Sequence, residues 1–175
     1  MKIYKLLLAI TIFTMMSCDK DDDNKSLIMT DFNVSKVNWE ELKSINGNSY
    51  TYQTTFSSWT GFGAMTELKI RDGIVISRLY EEFQINGANG QKEVLNSYLE
   101  EGSDLGSNER GAKILTIDQL YDSCVSKYLI ADTKNNTLYF ESELGGIMSL
   151  CGYVPNGCVD DCFSGVRINS FNWTD

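Results

Sequence analysis

From residue 49 onward, apolar and polar residues alternate in short stretches separated by glycine and Asn/Asp turns. Tyr50, Tyr52, Thr54 and Phe56 fall on one side of the segment Ser49 to Trp59, and Thr51, Gln53, Thr55 and Ser57 on the other, which is the period of a half-buried strand. Thr66, Leu68 and Ile70 alternate with Glu67, Lys69 and Arg71 in a second strand. Asp72-Gly73 predicts a two-residue turn of type I′, with a third strand returning over Ile74 to Phe83. Glu93 to Glu101 fits a strand or a short helix, and a strand pairing with the third is preferred. Leu138 to Glu141, Ile147 to Val154 and Val166 to Phe171 read as three further strands.

Two segments carry a helical period. Asn38 stands as N-cap of a short helix, with Glu41 as capping-box partner, Trp39, Leu42 and Ile45 on one face, and Asn46-Gly47 as its stop. Thr116 caps a longer helix, in which Ile117, Leu120, Tyr121, Cys124, Val125, Tyr128 and Leu129 form one apolar stripe. The glycine-rich stretch Gly102 to Ala112 precedes it as a loop. The order helix, four strands, helix, three strands predicts an α+β domain: an antiparallel sheet of about six to seven strands, with one long and one short helix on one face.

The first residues follow a different pattern. Lys2 and Lys5 precede an uncharged run from Leu6 to Met16, which is a secretory signal. Those residues span about 16 Å as a helix against a hydrocarbon core of about 30 Å, so a permanent membrane span is disfavoured. Met15-Met16-Ser17-Cys18 resembles the bacterial lipobox, with Met15 departing from the usual leucine. The match implies acylation of Cys18, palmitate being one such acyl group, and removal of residues 1–17. Asp19-Lys20-Asp21-Asp22-Asp23 looks like the export signal that Bacteroidota lipoproteins carry after the acylated cysteine, with Lys20, Asp21 and Asp22 as its core. It implies the outer face of the outer membrane; an ordinary charged tether and a periplasm-facing anchor are the competing reading. The expected organisation is a signal peptide at 1–17, a lipidated cysteine and acidic tether at 18–26, and one domain at 27–175.

Composition narrows the chemistry. The 175 residues carry a net charge of −9. Loss of residues 1–17 removes two lysines and no acid, making it −11; the tether accounts for −2, so the domain itself keeps −9. Such a surface repels nucleic acid, and the membrane is expected as a partner only through the lipid. The sequence contains 0 histidines, which removes Ser-His and Cys-His nucleophiles and histidine-bearing metal sites.

With Cys18 acylated, Cys124, Cys151, Cys158 and Cys162 remain, an even number that favours two disulfides outside the cytoplasm. Three connectivities are open, and Cys124 with Cys151 plus Cys158 with Cys162 is favoured. A four-thiolate zinc site lacks its usual paired knuckles. Asp160 and Asp161 could ligate calcium, although neighbouring aspartates in a turn more often meet solvent or backbone N–H groups. No other cofactor is expected. The pairs Glu81-Glu82 and Glu100-Glu101 point to opposite faces of their strands, as solvated charge rather than a catalytic couple. The aromatic row at Tyr50, Tyr52 and Phe56 reads as core, and Trp59 as the exposed ring to test for ligand contact.

Trp39, Tyr50-Thr51-Tyr52, Arg71-Asp72-Gly73, the run Thr116 to Cys124 and the tail Gly152 to Ile168, in that order, resemble a family of uncharacterised Bacteroidota-type exported lipoproteins. The resemblance covers most of Val37 to Phe171. It implies a compact exported α+β domain and supplies no catalytic residue. A non-catalytic module binding a protein, peptide or glycan is therefore expected. The alternatives are a carboxylate-dependent hydrolase of envelope polymers, which needs two acids in one cleft, and a calcium-stabilised structural module.

Overall fold

The computed structural model describes residues 20–174, with side chains from Asn24 onward. Helix α1 (Lys20–Asn46) is followed by the strands β1 (Tyr50–Ser57), β2 (Phe62–Arg71), β3 (Ile74–Ile85) and β4 (Lys92–Glu101). Helix α2 (Ile117–Ser123) then leads through a single π-type turn (Cys124–Tyr128) into β5 (Asn136–Glu141), β6 (Leu150–Pro155), β7 (Ser164–Arg167) and β8 (Ser170–Trp173). The architecture is α+β and every strand pairing is antiparallel.

The strands divide between two sheets, where the sequence pattern suggested one. Five strands run in the order β4-β3-β2-β1-β8, and three in the order β5-β6-β7. The division comes within the stretch Val166 to Phe171, expected as one strand. The N–H of Ile168 donates to Ser149 O on the small-sheet side, whereas the N–H of the next residue, Asn169, donates to Gln53 O on β1. The chain thus changes sheets at a corner. The apolar positions change phase there, from Val166 and Ile168 to Phe171 and Trp173, across the polar pair Asn169-Ser170.

The two helices exchange the expected lengths. α1 starts at Lys20, not Asn38, so the segment expected as tether forms its first turns. Asn38 lies mid-helix and its Nδ2 donates to Gly145 O. The local capping signal is overridden because Phe32, Ser35 and Trp39, spaced by helical repeats, are all buried. Phe32 meets Tyr121 and Phe140 edge-on, and Trp39 meets Tyr50, Phe171 and Trp173, so α1 bridges both sheets. Ile45, expected on the buried face, is exposed. α2 is regular only as far as Ser123; beyond it the N–H of Leu129 reaches five residues back to Cys124 O. Among the described residues, no helix is long and apolar enough to cross a membrane.

The local elements that position the core follow from side-chain chemistry. Thr116 and Gln119 form a reciprocal capping box at α2, Thr116 Oγ1 accepting from Gln119 N and Gln119 Oε1 from Thr116 N. Asp72 (φ 51°) and Gly73 (φ 78°) supply the two left-handed residues of the β2–β3 turn. Cys124 is bonded to Cys151 and Cys158 to Cys162. The first bond joins the end of α2 to β6, and both its cysteines are fully buried.

Its two ends are 27 residues apart in sequence. Replacing Cys124 and Cys151 together by alanine is expected to cost about 3 to 4 kcal/mol, from the larger conformational freedom of the unfolded chain. Urea unfolding of the oxidised double variant against the native protein measures it.

Candidate functional site

A cleft of about 770 Å³ opens where β1, α2 and β7 meet. β1 forms one wall: Tyr52 is buried at its base, its hydroxyl donating to Leu115 O at 2.6 Å, and Thr54 and Phe56 continue outward along the same face. Phe56 is 51% exposed. The inward-facing aromatic row thus runs from core into cleft, and only its first two rings are interior.

The opposite wall comes from Leu120 and Ser123 of α2 and Lys127 and Tyr128 of the π-type turn, with Lys113 on the segment leading into α2. β7 and the Cys158–Cys162 loop complete it with Asp161, Phe163 and Arg167. Two facing glycines explain the position of Phe163. Gly152 and Gly165 are cross-strand partners. A Cβ on Gly152 would lie 2.5 Å from Phe163 Cζ, and one on Gly165 2.7 Å from it, so the tip of the ring packs directly on bare backbone. The guanidinium of Arg167 sits 5.6 Å from the centre of that ring.

The electrostatics of the cleft oppose those of the chain. Lys113, Lys127 and Arg167 against Asp161 give the lining a charge of +2 in a protein of −9. Among the other cations with described side chains, Lys36, Lys43, Arg78, Lys92 and Arg110 hold carboxylates in ion pairs, whereas Lys25, Lys69, Arg71 and Lys134 do not. The three cations of the cleft have no ion-pair or side-chain hydrogen-bond partner among the described residues.

The residues singled out from sequence scatter. Cys18 lies outside the described residues. Lys20, Asp21 and Asp22 form the backbone of the first turn of α1. Trp59 is 87% exposed in the β1–β2 turn, away from the cleft. Asp161 lines the cleft, while Asp160 Oδ1 accepts the N–H of Asp161 at 2.9 Å. Among the described residues, no group of three His, Cys, Asp or Glu side chains is placed to hold a metal ion.

Glu100 corrects the reading of the carboxylate pairs as solvated. It is 1% exposed, and its carboxylate accepts from Arg78 Nε at 2.7 Å. It also receives the N–H groups of Gly106 and Asn108 and the amide of Asn108, so it ties down the glycine-rich loop. Arg78 donates in turn to Asn108 O and Ala112 O. Arg78 and these amides hold the Glu100 carboxyl well below the usual carboxylate range, against the opposing effect of burial. Ala112, at the end of this loop, borders the cleft beside Lys113. The strand register places Arg78 opposite Glu100, a pairing readable once β3 and β4 are taken as neighbours.

In comparisons with known proteins, no family model, no curated protein and no solved structure matches the chain.

Proposed function

We propose that this protein is a lipid-anchored, non-catalytic binding module of a bacterial outer membrane, facing outward, with the β1–α2–β7 cleft as its ligand-binding surface. The cleft carries the binding part of this reading. Its volume falls in the range of small-ligand sites, and it combines apolar rings with a few polar and charged groups. Its lining includes one carboxylate, Asp161, where glycosidic hydrolysis by a carboxylate couple uses two. Membrane attachment rests on Met15-Met16-Ser17-Cys18, outward display on Lys20, Asp21 and Asp22, and both agree with the resemblance to exported Bacteroidota-type lipoproteins.

Metabolic labelling with an alkyne-bearing palmitate tests the anchor. The native chain is expected to take up label and sediment with membranes, and Cys18→Ala to lose both properties. Added protease should digest the native protein on intact cells and spare a variant with Lys20, Asp21 and Asp22 replaced by alanine. Labelling that survives Cys18→Ala would sink the anchor, and protection of the native protein would indicate a periplasm-facing one.

A further inference from the structure

We infer that the cleft is built for an acidic saccharide, a short oligosaccharide bearing carboxylate or sulfate groups. The inference rests on the proposal that this cleft is the ligand-binding surface, and it names the ligand class. Three observations converge on it.

The first is charge. Lys113, Lys127 and Arg167 share one concavity, and no carboxylate among the described side chains is bound to any of them. Unneutralised cations gathered in a concave, partly apolar site focus a positive potential that draws in anions. Arg167 adds geometry. Its guanidinium lies against the Phe163 ring, which leaves the planar fork to meet a carboxylate or sulfate through two parallel hydrogen bonds.

The second is the apolar surface. Phe56 and Tyr128 contribute rings from two separate segments, beside Phe163 under Arg167, and Phe56 is half exposed with no partner ring among the described residues. Flat aromatic faces suit the C–H faces of pyranose rings, and burying such a face recovers part of the cost of leaving a phenylalanine in water.

The third is the hydrogen-bonding rim. Thr54, Ser57, Ser123 and Asn169 border the same space. Asn169 Oδ1 already accepts the N–H of Thr55 at 2.7 Å, so its amide nitrogen remains as a donor. Hydroxyls and an amide beside flat rings match the alternating C–H faces and hydroxyls of sugars. An acidic peptide matches the charge but lacks that alternation.

Calorimetric titration of the full lipidated chain in detergent decides the matter, with trigalacturonate and a chondroitin sulfate tetrasaccharide as acidic probes and galactotriose and tetraglutamate as controls. At least one acidic saccharide is expected to bind one per chain, about tenfold or more tightly than either control, and to weaken as salt rises. Arg167→Ala and Lys127→Ala should each weaken it about tenfold, and Phe56→Ala about fivefold, with unchanged thermal unfolding because all three side chains are exposed. Galactotriose binding as tightly as the acidic probes, sensitive to Phe56→Ala but not to Arg167→Ala, would keep the cleft and overturn the acidic class. Acidic saccharide binding indifferent to all three substitutions would overturn the cleft itself. Absence of binding by both acidic probes, or tighter binding of tetraglutamate, also overturns the inference.

Discussion

Replacing Trp39 by alanine is expected to cost about 4 kcal/mol of stability, the largest loss from any single side chain considered. Trp39 is fully buried. Its ring stacks on Trp173 at 5.5 Å between centres and meets Tyr50 at 5.3 Å and Phe171 at 5.9 Å edge-on. Most of the cost is lost transfer energy and the cavity left among these rings. The hydrogen bond from Nε1 to Asp118 Oδ1, at 3.2 Å, adds less. Asp118 keeps Lys43 Nζ at 2.5 Å, so its carboxylate is not orphaned when the indole goes. Trp39→Phe, which retains a ring without the N–H, should cost about half as much. Equilibrium urea unfolding of the two variants measures both values. A loss for Trp39→Ala below about 2 kcal/mol would mean that α1 does not dock on β1 and β8 as described.

The second large effect belongs to Arg78 and Glu100. Glu100→Gln is expected to destabilise by about 3 kcal/mol, because it leaves Arg78 buried beside a neutral partner and weakens the acceptor of four loop hydrogen bonds. The low end of the range for broken buried ion pairs applies, since a single loop, Gly102 to Ala112, shields the pair from water. Exchanging both residues for apolar ones should not restore stability. The N–H groups of Gly106 and Asn108 would then lose their acceptor as well.

The same pair sets an acid limit. The folded carboxyl titrates below its ordinary value of 4.5, so between those two values the unfolded chain binds the extra proton. This contribution to stability is fully present above about pH 5 and declines as the pH falls through the folded value. The unfolding temperature of the native protein should therefore fall on acidification below about pH 4.5 more steeply than that of Glu100→Gln. Parallel curves for the two proteins would refute the assignment.

Much of the fold is legible in order and type. The Asp72-Gly73 turn, the three strands around it, the capped helix at Thr116 and both disulfides are local signals or follow from residue parity, and the structure contains them. The extent of α1 is not legible in the same way. Its buried positions are sparse, its start is charged, and Asn38-x-x-Glu41 imitates a cap. The split between sheets leaves only a faint trace, the polar pair Asn169-Ser170 at which the alternation changes phase. Glu100 shows the limit for single residues: next to Glu101 it reads as surface charge, and only its register opposite Arg78 reveals a buried pair.

The candidate cleft divides in the same manner. Asp161 stood out through its tight cysteine loop and Phe56 through its strand, but Lys113, Lys127 and Arg167 carry no motif and lie far apart in the chain. The sequence by itself determined the cysteine parity, the acidity, the absence of histidine and the class of fold, because these depend on composition or on neighbours within a few residues. Only the tertiary structure decided that α1 spans two sheets, that Arg78 and Glu100 share a buried bond, and that three distant cations face one cleft. Each depends on the register of strands and the crossing of elements, which long-range packing sets.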